Sequence, residues 1–294
     1  MKRDIIKPQN FPALLKEISD PPEELRAIGE LPSDESLFIG VVGSRRFTTY
    51  GKEVCNKIVR ELKNPEAEVV IVSGLAIGID GIAHQAALDA GLRTIAIPGS
   101  GLDEEVLHPR SNIRLARKIV GSGGCLLSEL DWNEPAGTHT FPRRNRIIAG
   151  LCHGVVVIEA ASKSGTLITA RLALDYGRDV FAVPGSIFSA NSSGTNNLIK
   201  EGATPITDGK DILKFYGISG EVGETSANLS FDFSPAEQKV LNALTEPIEK
   251  DELLRKLKIP MAEASSLLME MELKGVIKQS GGEIYLTANV KVQP

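Results

Sequence analysis

Six short runs rich in Val, Ile and Leu constrain the fold more than any other feature of this chain. They are Leu37 to Val42, Val69 to Val72, Arg93 to Ile97, Cys125 to Leu127, Val155 to Ile158 and Val180 to Val183. They do not alternate polar with apolar residues, which is the pattern of strands covered on both faces. Amphipathic segments lie between them. Val54, Ile58 and Leu62 recur every four residues, as do Ile82, Ala86 and Ala90, the spacing of one helical face. This β-α-β rhythm predicts an α/β fold built on an open, mostly parallel sheet.

The flanks read differently. Residues 1–36 carry Phe11-Pro12, Pro21-Pro22 and Pro32 and are expected to form a lead-in segment with one short helix. The sheet domain spans 37–216. Residues 217–232, rich in Gly, Ser and Glu, read as a linker. In 233–294, helical patterns near Pro235 to Leu244, Lys250 to Leu257 and Met261 to Lys274 precede a hairpin pattern from Gly275 to Leu286. Three helices and a hairpin predict a small winged-helix domain. A winged helix reads duplex DNA with its third helix, but here that helix carries Glu263, Glu270 and Glu272 against Lys274 alone. A structural or protein-binding module is the expectation.

Ligands of open parallel sheets bind outside the carboxyl ends of the strands, so the loops leaving those ends are the place to look for a site. They begin Gly43-Ser44-Arg45-Arg46, Ser73-Gly74-Leu75-Ala76-Ile77-Gly78-Ile79-Asp80, Pro98-Gly99-Ser100-Gly101-Leu102-Asp103, Glu159-Ala160-Ala161-Ser162-Lys163-Ser164-Gly165-Thr166 and Pro184-Gly185-Ser186. Glycines admit a close backbone approach, and helix N-termini offer N–H groups and partial positive charge to phosphate. Gly43-Ser44 and Ser73-Gly74 suit tight turns equally well, and Asp80 suits a helix cap. The fourth strand leads to Phe141-Pro142-Arg143-Arg144-Asn145-Arg146, just before an apolar helical run. Its three arginines offer planar forks of donors to phosphate oxygens. Asn145 both donates and accepts, and Phe141 presents a flat face to a base or supports the loop from inside.

Overall charge adds nothing to this site. The net charge is −5, so affinity for a polyanion has to come from a local patch. Cys55, Cys125 and Cys152 form no C-x-x-C pair, which argues against a zinc site or a disulfide framework and fits a reducing cytoplasm. No run approaches the roughly 20 apolar residues of a membrane span. There is no G-x-x-x-x-G-K-[ST], no G-x-G-x-x-G after the first strand and no G-x-S-x-G elbow. P-loop, dinucleotide and serine-hydrolase chemistry are thereby disfavoured. No cofactor or metal is expected, and no catalytic residue can be assigned. The alternative is a nucleotide-binding or nucleotide-hydrolysing enzyme, with Glu159 as its carboxylate. Glu159 otherwise orients the Ser164–Thr166 turn.

Together the motifs resemble those of the DprA/Smf family, bacterial DNA-processing protein A. They are V-G-S-R at 42–45, S-G-L-A-x-G-I-D-x-x-A-H at 73–84, G-x-G-L-D at 99–103, F-P-x-R-N-R-I-I-A-G at 141–150, E-A-x-x-x-S-G-T-L-I-T-A-R at 159–171 and G-R-x-V-F-A-V-P-G-S at 177–186. The resemblance implies a Rossmann-like domain, with helices on both faces of the sheet, that binds single-stranded DNA and forms a homodimer. It also implies protection of incoming strands and help in loading the RecA recombinase, as in natural transformation. Carried over by motif, the contacts are Gly43, Ser44, Arg45, Arg46, Ser73, Gly74, Phe141, Arg143, Arg144, Asn145, Arg146, Lys163, Ser164, Gly165 and Thr166. Ile77 departs from the family, which often has arginine there.

Overall fold

The computed structural model describes residues 3–218, 233–244, 246, 248–257, 259–280 and 283–286. In chain order the elements are β1 (Arg3–Ile6), α1 (Ala13–Lys16), β2 (Leu25–Gly29), β3 (Leu37–Val42), α2 (Thr49–Glu61), β4 (Val69–Ser73), α3 (Ile79–Ala90), β5 (Arg93–Ala96), α4 (Ile113–Gly121) and β6 (Cys125–Ser128). There follow α5 (Thr140–Leu151), β7 (Gly154–Val157), α6 (Thr166–Asp175), β8 (Asp179–Ala182), α7 (Ser193–Lys200), β9 (Thr204–Pro205) and α8 (Gly209–Phe215). A second set comprises α9 (Pro235–Ala243), β10 (Ile248–Glu249), α10 (Lys250–Leu257), α11 (Met261–Leu273), β11 (Ile277–Ser280) and β12 (Glu283–Leu286). Contacts divide the chain into two units, Met1–Gly220 and Glu221–Pro294.

The first unit is built on one sheet of order β1-β2-β6-β5-β4-β3-β7-β8-β9. Strands β3 to β9 are parallel. All six residues of β3 and all five of β4 are buried, as their uninterrupted apolar runs require. Each fully buried Val or Ile stabilises by roughly 1.5–3 kcal/mol, so a charge in β3 would break the sheet at its centre. Two apolar layers flank it. Leu15, Ile147, Ile148, Leu151 and Ala170 line the face under α1, α5 and α6. Ile58, Leu62, Ile79, Ala83 and Leu213 line the face under α2, α3 and α8.

The lead-in segment supplies more than a short helix. Its β2 pairs antiparallel with β6, Ala27 opposite Leu127, and β1 pairs antiparallel with β2. Both are too short, and too interrupted by charge, to show as strands locally. Only Leu25, Ala27 and Ile28 are buried in β2. The expected linker at 217–232 lies, beyond Ile218, outside the described residues.

The second unit has its own core, in which Val240, Leu241, Leu253, Leu268, Met271 and Ile284 pack together. A capping box opens α9, where Ser234 accepts from Glu237 N and Glu237 returns the bond to Ser234 N. This is the S-x-x-E signature with Pro at the first helical position. Strands β10, β12 and β11 form a three-stranded antiparallel sheet, completing the winged-helix arrangement.

Candidate nucleic-acid interface

The strand order reverses between β3 and β7, which lie side by side at the centre of the sheet. The loop after β3 enters α2, which packs on α3. The loop after β7 enters α6, which packs on α5 across the sheet. Diverging loops leave a crevice at this switch point.

Hydrogen bonds within and between loops hold the crevice walls. Ser44 Oγ accepts from Arg46 N at 3.0 Å and donates to Arg46 O at 2.9 Å, which closes the turn and leaves Arg45 and Arg46 exposed. Thr166 Oγ1 donates to Gly43 O at 3.0 Å, tying the β7 loop to the β3 loop. Lys163 is exposed on the β7 loop. The N–H groups of Ser164, Thr166, Leu167 and Ile168 already have acceptors within the turn that opens α6. An anion here would rely on Lys163 more than on those amides.

Phe141 is half-buried against Gly99, where any Cβ would stand 2.5 Å from the ring. The Arg45 guanidinium lies over the ring, 5.1 Å from its centroid. The His108 ring lies 6.0 Å away, tilted by 55°. Arg45, Phe141, His108, Ile77 and Gly74 line a shallow pocket, with Arg144 behind them. A cation on an aromatic face gains about 0.5–1 kcal/mol at an exposed site, enough to orient Arg45 without consuming its donors. Ile77 is 56% exposed beside them.

Arg143, Arg144, Asn145 and Arg146 lie within α5, not in a loop before it, and the helical period sends them apart. Thr140, Arg144, Ile147, Ile148 and Leu151 form the buried face. Arg144 is 7% exposed. Its Nη1 donates to Gly74 O and, at 2.7 Å, to Ile97 O, and it faces the buried Asp80. Arg144 is therefore a frame residue that pins two strand ends, not a phosphate ligand. A Cβ on Gly74 would fall 1.7 Å from its Nη1, so only glycine admits this guanidinium. Arg146 is likewise engaged, to Glu129 and to Asp20 O. Arg143 is half exposed, with its Nη2 3.4 Å from the same Glu129 carboxylate. Asn145 is half-buried.

Burial pushes the Asp80 carboxyl above its ordinary range, while Arg144 and the N–H groups of Ala76 and Gly74 draw it back. Asp80 thus organises the loop before α3 instead of capping the helix, whose N-cap is Gly78. Ser73 is fully buried and donates to Val41 O at 2.6 Å, so its hydroxyl does not reach the rim. Burial depresses the His84 pKa to about 3; its Nδ1 pairs with Thr94 Oγ1 at 2.7 Å, and Thr94 in turn bonds to Ile71 O. Glu159 is also buried, and it holds Thr48 rather than the Ser164–Thr166 turn. Its Oε2 accepts from Thr48 N at 2.9 Å and its Oε1 from the Thr48 hydroxyl. Both oxygens serve Thr48, the N-cap of α2, so Glu159 orients a helix start, though not the turn expected from the sequence.

The rim therefore gathers Ser44, Arg45, Arg46, Phe141, Lys163, Ser164, Gly165 and Thr166, with Gly43 buried beneath them. It draws Ser73 and Arg144 into the interior and ties Arg146 to carboxylates. His108 was missed because it follows a long turn after the third loop, with no partner nearby in sequence.

A family model described as DNA recombination-mediator protein A matches residues 4–217, and one described as DprA winged helix domain matches 224–283. Protein Smf of Escherichia coli K12 is 39% identical over 285 residues, covering 94% of this chain and 75% of that protein. DNA processing protein DprA of Streptococcus pneumoniae R6 is 47% identical over 203 residues, 69% of this chain and 70% of that one. The crystal structure of DprA from Streptococcus pneumoniae superposes with a TM-score of 0.66 at 42% identity, covering 73% of this chain and 74% of that one. DNA processing protein A from Helicobacter pylori, whose structure concerns its single-stranded DNA binding mode, gives a TM-score of 0.64 at 30% identity, over 74% and 96% of the two chains.

Proposed function

This chain belongs to the DprA/Smf family, and from that premise we propose that it is a non-enzymatic recombination mediator that holds single-stranded DNA along the carboxyl rim of its sheet. One observation carries the proposal. The exposed Arg45 lies over Phe141 at the crevice, pairing a phosphate-binding cation with a base-sized aromatic face. Cationic grooves lined with stacking faces are the sequence-tolerant solution for single strands. Arg46 and Lys163 extend the positive side, and Arg143 supplies a further fork of donors.

Protection of incoming strands, their transfer to the RecA recombinase in natural transformation, assembly as a homodimer and a cytoplasmic location belong to the same proposal and rest on the family. No helix among the described residues is long and apolar enough to cross a membrane. Engagement of both Glu159 oxygens by Thr48 weighs against nucleotide hydrolysis at this rim.

Anisotropy titrations with single-stranded and duplex oligonucleotides at two salt concentrations test the core of the proposal. The single strand should bind more tightly, with affinity falling steeply as salt rises. Arg45→Ala should lose about 1–3 kcal/mol and flatten the salt slope by about one unit. Wild-type affinity for the variant at low salt, or equal binding of duplex, would refute it.

A further inference from the structure

The loop after β8 breaks the usual chemistry of turns. Ser189 N donates to Ser186 O at 3.0 Å, which makes Ile187 and Phe188 the two central residues of a hydrogen-bonded turn. Such positions favour Gly, Pro, Asn or Asp. Here they carry two large apolar side chains, 84% and 94% exposed. The turn is firmly mounted. Asn196 bridges both backbone groups of Gly185, donating to its O at 3.0 Å and accepting from its N at 3.2 Å. Phe188 N donates to Ser186 Oγ at 3.3 Å. A local rule broken on a rigid support marks a functional position more often than a defect.

Its neighbours say what covers the tip. Asn191 Nδ2 donates to Arg46 O at 3.1 Å, and Tyr50 OH donates to Pro184 O at 2.8 Å. The turn is therefore mounted directly on the Arg45–Arg46 loop. Phe47 and Tyr50 nearby are 40% and 49% exposed. No charged residue occurs from Pro184 to Ile199, so the cations come from the neighbouring loop alone. Apolar faces continuous with cations suit a ligand that alternates bases with phosphates.

We propose that the Ile187–Phe188 tip is a second base-receiving site, at which Phe188 stacks on an unstacked nucleobase of a strand whose phosphates follow Arg45 and Arg46. This rests on the single-strand reading of the rim and extends it across the switch point. Short oligonucleotides fill the Phe141 pocket alone; longer ones also cover Phe188.

The test compares full-length wild type with Phe188→Ala, Phe188→Trp and Arg45→Ala, using oligothymidylates of about 4 and about 20 nucleotides, a range that spans the usual footprint of a single-strand site. Sedimentation is measured alongside. Phe188→Ala should weaken binding of the longer oligonucleotide about tenfold, the scale of one lost stacking contact, with little change for the shorter one. Phe188→Trp should retain affinity, and its fluorescence should be quenched by the longer oligonucleotide. If Phe188→Ala binds as wild type while Arg45→Ala is weakened, the tip site is wrong and the rim reading stands. If neither variant is weakened, both fail. If Phe188→Ala dissociates a self-assembled form without affecting binding per protomer, a second copy of the chain covers the tip and the base-receiving site is overturned.

Discussion

Two surfaces of this molecule occupy positions where related architectures meet nucleic acid, and they carry opposite charge. The carboxyl rim of the large unit presents Arg45, Arg46 and Lys163, exposed around Phe141. Helix α11 of the small unit occupies the position of a DNA-reading helix, yet Glu263, Glu270 and Glu272 are exposed on it. The cation that follows it, Lys274, is held at 2.8 Å by both Glu237 and Glu270. Met261, Met269 and Leu273 are exposed on the same helix, at 69%, 66% and 82%. Topology nominates both surfaces, and in the proposed reading electrostatics favours the rim. The rim also has depth: its exposed cations stand on a buried frame of Arg144, Asp80 and backbone carbonyls, whereas the charges of α11 sit at the surface.

The largest expected effect comes from breaking that frame. Arg144→Ala leaves Asp80 buried without its cation and should cost about 3–5 kcal/mol, read by urea unfolding followed through Trp132, the single tryptophan of the chain. Since burial already holds the Asp80 carboxyl above its ordinary range, the loss should be deepest at neutral pH and ease as acid protonates it. Full stability of the variant would remove the distinction between a framed rim and an unframed helix.

The next effect concerns pH, where only the part lying inside the measurable acid window is read. The His84 pKa is depressed in the folded state to about 3 from 6.5, so the unfolded chain binds the proton first. The contribution of His84 is fully present above pH ~6.5 and is lost as pH falls toward ~3, on the order of a few kcal/mol in all. The acid slope of melting temperature over this window should flatten in His84→Met. An unchanged slope would show that His84 is not held neutral behind the rim.

The smallest effect tests the other surface. Glu263→Gln combined with Glu272→Gln should change single-strand affinity by less than about twofold, under about 0.5 kcal/mol. A gain of tenfold would mean that α11 lies against the bound strand and that its carboxylates oppose it.

The sheet was legible because strands buried on both faces need unbroken apolar runs. Leu37 to Val42 can be read as β3 from hydropathy alone, and the six runs match the observed strands to within one or two residues. The glycine-rich loops of the rim were legible for a related reason: parallel strands place all such loops at one edge. Strands β1, at the sheet edge, and β2, between β1 and β6, were not legible, since short strands broken by charge draw their stability from their partners. Leu25 and Ile28 reveal a strand only once β6 lies beside them.

Within the site, local sequence determined which groups were available and tertiary structure decided which of them face the solvent. Phe141 to Arg146 reads as one basic cluster along the chain. Wound into α5, it places Phe141 at the pocket, buries Arg144 against Gly74 and Ile97, and ties Arg146 to Glu129 and Asp20. A helix turns about 100° per residue, so adjacent arginines diverge, and the carboxylates and carbonyls they meet come from segments distant in the chain. Composition and order determine the supply of charge; packing determines where it is neutralised and where it remains free for a ligand.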